Sequence, residues 1–454
     1  MRRESRRCRL VTGRLLGLGL ALAALACSSR GRPTDDRPNV LLVVVDDLSF
    51  RTGLYGFAPP TPNLARLAAS GRRFDRAYAQ YPLCNPSRAS FMTGWRPERT
   101  RVWGNLGSPH ARLAGAVPLQ EHFAASGYET VRVGKVYHSP FEHEFRWERV
   151  FDTYDTASDE APAAWGVSGR SDEAEPDGRA ARRAAEILAE RRSRPLFLAV
   201  GFLRPHVPWM VPEAYVRRFP PESVVVPPQP AREVLGVRRG ASRDIPPPLW
   251  REAIAHYQAS VAFMDAQFGL ILDALEREGL LDRTIVVLVG DNGVHVGEQG
   301  LWGKSTLFEE SDRVPLVIAA PGVSRRGTPA GGLAELVDLY PTLLELCRLP
   351  TVPGLDGVSL VPLLRDPEAK GKAAAWTMRK VGAARKEALA FSVRTERWRF
   401  TEWPDGEREL YDHDADPWER LNLAGDPAYA AVVTALRPLV ETASRRVSHP
   451  TAAP

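Results

Sequence analysis

Short continuous runs of apolar, mostly β-branched residues alternate along this chain with amphipathic stretches, and this alternation restricts the fold more than any other feature. Residues 40–45 read Val-Leu-Leu-Val-Val-Val with no polar interruption. A strand of that kind suits a sheet covered on both faces, since neither face can be given to water. Further strands are expected at 130–133, 196–200, 284–289 and 314–319. Between them, Thr61 can cap a helix that has Pro62 in its first turn, turns Leu64 and Leu67 inward and ends at Gly71. Other helices are expected at 121–126, closed by Gly127, at 179–192 and at 249–278, and an apolar run at 333–349 reads as helical. Repeated strand–helix alternation with buried strands predicts an α/β fold, a three-layer α/β/α sandwich.

Two segments interrupt the pattern. Residues 156–178 are acidic and poor in large apolar side chains, as a surface loop would be, and 204–248 form a proline-rich insertion without clear periodicity. Near 366–386 the composition turns charged and alanine-rich. The expected organisation is therefore a catalytic domain at 38–375 and a C-terminal subdomain at 376–454. The latter would hold strands at 388–393, 397–402 and 408–411 and a helix at 429–444, a small antiparallel sheet with one helix.

The formal charge of +5 does not imply a nucleic-acid partner. Arg2, Arg3, Arg6, Arg7, Arg9 and Arg14 against Glu4 account for the whole excess, so the remainder is neutral and has no global field for a polyanion. Those arginines precede an apolar stretch of about a dozen residues, too short for the roughly 20-residue membrane span. Small residues and Cys27 follow, so 1–27 reads as a secretory signal of lipoprotein type and 28–37 as a polar tether. The expectation is export to the periplasm or cell surface, with membrane attachment only through a lipid on Cys27; a plain signal peptide with an incidental cysteine is the alternative. Beyond the leader only Cys84 and Cys347 remain. An exported chain permits a disulfide between them. The preferred reading is a Cys84 that belongs to its own motif and a buried Cys347 acting as a small hydrophobe.

Asp46-Asp47 directly follows the first strand, and Asp291-Asn292-Gly293 directly follows the strand expected at 284–289. Adjacent side chains in a strand point to opposite faces, so neighbouring carboxylates converge only where the strand has ended. In open α/β sheets that carboxyl end is where ligands sit. Asp46, Asp47, Asp291 and Asn292 offer hard oxygen ligands, which select calcium, with magnesium as the alternative, over zinc. Each pair is also what a simple turn would contain. The third element is Cys84-Asn85-Pro86-Ser87-Arg88.

With these motifs in order, the chain resembles a type I, formylglycine-dependent sulfatase of the alkaline-phosphatase-like superfamily, most of all its iduronate-2-sulfatase and choline-sulfatase-like branch. The resemblance runs from about Pro38 to Leu423. It includes Thr93-Gly94, Gly134-Lys135-Val136-Tyr137-His138, Arg204-Pro205-His206-Val207-Pro208, Gly297-Glu298, Leu301-Trp302-Gly303-Lys304, Leu355-Asp356-Gly357 and Leu410-Tyr411-Asp412.

The resemblance implies an alkaline-phosphatase-like sandwich that hydrolyses sulfate esters. Cys84, in its C-x-P-S-R setting, would be oxidised to formylglycine (3-oxoalanine) by a formylglycine-generating enzyme, and its hydrate would be the nucleophile at a divalent metal held by Asp46, Asp47, Asp291, Asn292 and position 84 itself. Arg88 would hold the diol. Lys135 and Lys304 would bind sulfate oxygens. His138 would take a proton from the second hydroxyl, and His206 would serve as general acid. The implied substrate is a sulfated small molecule or glycan.

Two positions depart from the branch pattern. Asn292 stands where iduronate-2-sulfatase-like enzymes often carry histidine, and Gln299 where histidine often follows Gly-Glu. His295 either lines the pocket or packs in its loop. Trp103, Trp209 and Trp302 are candidates for a sugar-binding wall or for plain packing, and Arg99, Arg101, Arg204 or Arg243 for a uronate carboxylate. Two other readings stay open: a phosphonate or phosphate ester hydrolase with the same motif and ligands, and an inactive surface glycan-binding protein, which would follow if Cys84 were never modified.

Overall fold

The computed structural model describes residues 35–154, 164–230, 235–236, 245–324, 326–382 and 388–448. The leader, most of the tether, the first part of the 156–178 segment (156–163) and Arg243 lie outside the described residues. Among the described residues no helix is long and apolar enough to cross a membrane.

The apolar run near the start is the strand Asn39–Val45, at the middle of an eight-stranded sheet. From edge to edge the strands run Ala330–Glu335, Arg72–Tyr78, Leu316–Ala319, Thr284–Gly290, Asn39–Val45, Leu196–Phe202, Glu129–Gly134 and Arg149–Phe151. Pairing is parallel except around Leu316–Ala319, which runs antiparallel to both neighbours. The alternation of side chains explains the uninterrupted hydrophobicity. Leu41, Val43 and Val45 join one buried cluster with helices Pro62–Ser70, Pro176–Ala189 and Trp250–Arg277. Val40, Leu42 and Val44 join another with helices Cys84–Thr93, Leu119–Ala125 and Leu339–Leu346. This is the three-layer α/β/α sandwich.

Differences from the sequence expectations have local causes. The run at 333–349 is not one helix. The strand Ala330–Glu335 takes its first part, and Glu335 with Asp338 forms a capping box before Leu339–Leu346 begins. The strand Arg72–Tyr78 was not expected, because Arg-Arg-Phe-Asp-Arg-Ala-Tyr carries four charges; the pairing with Leu316–Ala319 and Ala330–Glu335 on either side overrides that polarity. The proline-rich insertion contributes Trp209–Val211, which pairs in parallel with Trp165–Val167 from the acidic segment.

The small antiparallel sheet has the order Ala375–Val381, Ala388–Arg394, Trp398–Glu402, Arg408–Asp412, and the helix Ala430–Ser448 packs on it. Its first strand is also tied to the segment just past the large-sheet strand Arg72–Tyr78. Thr377 Oγ1 donates to the Ala79 carbonyl (2.7 Å) and the Met378 N–H to that of Gln80 (3.1 Å).

Candidate active site

Strand pairing places the first groups. Val45 is in register with Gly290, so Asp46 and Asp291 leave neighbouring parallel strands at the same edge. The Asp291 N–H donates to the Val45 carbonyl and that of Asp46 to the Phe202 carbonyl, both at 3.1 Å. The chain then turns at Asp47, whose φ of 58° lies in the left-handed region. Two contacts hold that turn. The Asp47 N–H donates to Asp291 Oδ1 (3.1 Å), and the Tyr257 hydroxyl donates to the Asp47 carbonyl (3.1 Å) while accepting from the Ser49 N–H (2.9 Å). Asn292 Nδ2 donates to Asp47 Oδ1 at 2.7 Å.

Cys84 opens the helix Cys84–Thr93 and is 1% exposed. Its Sγ lies 3.0 Å from Asp46 Oδ1 and 2.7 Å from Lys304 Nζ. One turn later Arg88 falls on the same helix face. Its Nε meets Asp291 Oδ2 at 2.8 Å, Nη2 lies 3.6 Å from Asp46 Oδ1, and Nη1 donates to the carbonyls of Lys135 (2.6 Å) and Val136 (3.1 Å). Lys135 follows Gly134, the last residue of its strand, and its Nζ sits 2.6 Å from Asp46 Oδ2. Lys304 Nζ also meets Asp47 Oδ1, at 2.5 Å. His206 Nε2 is 3.8 Å from Asp47 Oδ2, and its Nδ1 faces the Val207 carbonyl at 2.7 Å, which makes Nδ1 the donor. His138 is buried within the electrostatic reach of Lys135, Asp46, Arg88 and Lys304, and its Nδ1 has no hydrogen-bond partner among the described residues.

The burial of so many charges sets their protonation. Burial works against charge on Asp46, but Lys135, His206, Arg88 and Lys304 hold its carboxyl well below the usual range. Asp291, for which burial outweighs Arg88, is pushed up to about 6. Burial, reinforced by the Asp291 and Asp46 carboxylates, pushes the Cys84 thiol well up. Burial lowers His138 to about 2, with Lys135 adding to the effect, and lowers His206 against the pull of Asp46 and Asp47. In both imidazoles burial favours the neutral form.

The residues present fit a hard divalent cation. One ligand atom from each of Asp46, Asp47, Cys84 and Asp291 lies within 4.8 Å of all the others, and Asn292 Oδ1 beside them is buried without a hydrogen-bond partner among the described residues. An orphaned buried carbonyl oxygen costs free energy unless a ligand or donor meets it. The donor set is oxygen-rich, as calcium or magnesium requires.

Other sequence candidates fall elsewhere. Cys84 and Cys347 are both free, and Cys347 is buried in the core cluster behind the sheet. Trp209 and Trp302 are not a pocket wall: they are 3% and 1% exposed and pack on each other, on Tyr257 and on Trp250. Trp103 is half-buried against Tyr81. His295 packs in its loop, its Nε2 2.8 Å from Thr306 Oγ1, and Gln299 Nε2 donates to the Trp418 carbonyl. Arg99 lies over Trp95, Arg101 reaches the Val447 carbonyl, and Arg204 reaches the carbonyls of Met210 and His206.

Sequence reasoning missed three supporting residues. Tyr257 holds Asp47 as described. Ser87 Oγ donates to the Asp291 carbonyl, and Asp177 accepts from the N–H groups of Leu203 (2.7 Å) and Arg204 (2.8 Å), fixing the loop that carries His206. Only Ser87 carried a signal, its place inside the Cys84 motif.

Known proteins resemble this chain over most of its length. The family model described as Sulfatase matches residues 38–349, and one described as N-sulphoglucosamine sulphohydrolase, C-terminal, matches 297–446. A sulfatase of Formosa agariphila is 31% identical, over 89% of this chain and 86% of its own. Choline-sulfatase of Rhizobium meliloti is 30% identical over 87% and 84%, and human iduronate 2-sulfatase 27% over 91% and 97%. Among solved structures, a phosphonate monoester hydrolase of Agrobacterium radiobacter superposes with a TM-score of 0.78 at 24% identity, covering 90% of this chain and 96% of that one. A protein solved with its substrate D-glucosamine-2-N,6-O-disulfate superposes with a TM-score of 0.76 at 22% identity, covering 91% and 98%. These structures share the alkaline-phosphatase-like fold with this chain.

Proposed function

The chain belongs to the sulfatase family and is an enzyme of sulfate ester hydrolysis, and on that premise we propose that it acts on sulfated sugars with formylglycine at position 84 as nucleophile. The observation that carries this reading is the convergence of Asp46, Asp47, Cys84 and Asp291 with three cations, Arg88, Lys135 and Lys304, around one buried sulfur. Calcium, with magnesium as the alternative, would be held by Asp46, Asp47, Asp291 and Asn292, and when bound it supplies Lewis-acid charge beside position 84. The hydrated aldehyde, if formed at position 84, would offer one hydroxyl as nucleophile toward sulfur and a second whose proton a neighbouring base would have to take.

The chain's own residues have distinct tasks in this scheme. Arg88 locks Asp291 and Asp46 into a fixed relation and, always protonated, holds the oxygens at position 84. Lys135 and Lys304 bind sulfate oxygens and stabilise the charge that develops on them. His206, with Nδ1 donating to the Val207 carbonyl, turns Nε2 toward Asp47 in the site, and as general acid it would first take up a proton at Nε2 and then give it to the bridging oxygen of the departing alcohol. His138, neutral in its buried setting, takes the proton from the second hydroxyl. The protein would be exported, with a lipid on Cys27 holding it at the cell surface.

The test is mass spectrometry of the Cys84 peptide from protein purified from its native host, beside an assay of sulfate and phosphonate monoesters. Replacement of the thiol by an aldehyde, with turnover of the sulfate ester, is the expected result. An unmodified cysteine overturns the formylglycine mechanism, and preferential turnover of the phosphonate ester overturns the sulfate assignment.

A further inference from the structure

We propose that Arg379, on the first strand of the small C-terminal sheet, is a positioning residue for Lys304, so that the C-terminal sheet supports the catalytic site from behind. This rests on the reading of Lys304 as a sulfate-binding cation. Lys304 is on a loop, yet its ammonium reaches position 84, lying 2.7 Å from Cys84 Sγ, and sits 2.5 Å from Asp47 Oδ1. The residue after it, Ser305, has φ of 66°, a left-handed conformation that a non-glycine residue holds only when its surroundings impose it. Both ends of Ser305 are gripped. Its N–H donates to the Pro82 carbonyl (3.0 Å), two residues before Cys84, and its carbonyl accepts from Arg379 Nη1.

The grip comes from a strand that is itself tied to the approach to Cys84. In Ala375–Val381, Thr377 Oγ1 donates to Ala79 O, the Met378 N–H to Gln80 O and the Lys380 N–H to the Tyr81 hydroxyl (2.9 Å). The segment 79–82 is thus held from one side, and the Lys304–Ser305 turn is pinned against it by Arg379. A charged donor on a carbonyl is a strong tether, and misplacing a catalytic cation by about 1 Å costs on the order of 10²-fold in rate.

The experiment is a cycle of Arg379→Met, Lys304→Ala and the double variant, with Arg379→Lys as the conservative variant, each confirmed folded by thermal melting. Two readouts are taken on full-length enzyme: kcat/KM for an aryl sulfate and calorimetric affinity for inorganic sulfate. Arg379→Met should lower both by at least about 10-fold, while in the Lys304→Ala background the same substitution should change them by less than about 2-fold. Arg379→Lys, which keeps a charged donor, should recover part of the loss. Equal losses in the two backgrounds, or a loss under about 2-fold in the first, would overturn the proposal. Failure of the sulfate-ester reading looks different: the wild type then turns over a phosphonate monoester instead. The cycle run on that substrate supports or overturns the role of Arg379 by the same fold-changes.

Discussion

Arg399 offers the sharpest test of what holds the two parts of this enzyme together. It is 1% exposed on the strand Trp398–Glu402, and its guanidinium meets three carboxylates: Glu419 Oε1 at 2.6 Å, Asp312 Oδ2 at 2.7 Å and Glu309 Oε2 at 2.7 Å. Arg399→Met keeps the bulk and removes the charge. Glu309 then still has Arg394 at 3.2 Å, and Glu419 still has His413 at 2.8 Å. Asp312 is fully buried and, among the described residues, has no other cation within ion-pair distance. Removing one partner of a buried pair costs about 3–5 kcal/mol, mostly because a charge is left uncompensated. Asp312 can limit that cost by taking up a proton, since burial already raises its pKa well above the usual value. The expected loss is therefore near the lower figure, about 3 kcal/mol, at neutral pH. The sign of the pH dependence follows. A carboxyl raised in the folded state binds more protons there than when unfolded, so stability falls as pH rises through that window, and the deficit of the variant should shrink on acidification. The assay is urea unfolding followed by tryptophan fluorescence, with Asp312→Asn and the double variant completing a cycle. In the Asp312→Asn background, Arg399→Met should cost at least about 1.5 kcal/mol less. A loss under about 1 kcal/mol, or one equal in both backgrounds, would refute the argument.

Three further outcomes are expected. Chelation should abolish hydrolysis and calcium should restore it, and Asp47→Asn should weaken calcium affinity, read by calorimetry, by about 10-fold or more. A Cβ on Gly201 would lie 1.8 Å from the Lys135 carbonyl oxygen, so Gly201→Ala should displace Lys135 and cut kcat by about 10²-fold, measurable beside an unchanged circular dichroism spectrum. For Glu335, burial opposes the charge, but Arg96 and Lys372 bring its carboxyl down to about 2 from 4.5. The unfolded state then binds the extra proton, so this contribution is complete above about pH 4.5 and fades as pH falls toward 2. Glu335→Gln should lose about 3 kcal/mol at pH 7 in urea unfolding, with the gap narrowing in acid.

Fold class and the residues that gather at the site were both legible in the order of the residues. Uninterrupted apolar strands such as residues 40–45 can be satisfied only by helices on both faces, and carboxylates just past their ends can only gather at the carboxyl edge of a parallel sheet. Asp46, Asp47, Cys84, Arg88, Lys135, His206, Asp291, Asn292 and Lys304, all named from motifs, do meet there. Folding settled whatever depends on partners distant along the chain. The charged strand Arg72–Tyr78 exists because two neighbours supply its hydrogen bonds. Trp209 and Trp302 turned inward because they meet each other and the long helix, and no pattern near either residue encodes that. The supports of the site, Tyr257 on Asp47, Asp177 under the His206 loop and Arg379 behind Lys304, are read by contact alone. A metal-ligand or nucleophile position leaves a local mark because its residue type and spacing are constrained by chemistry. A residue that acts by hydrogen-bonding a remote backbone leaves none, since many side chains could do so and only the folded chain shows which one is near.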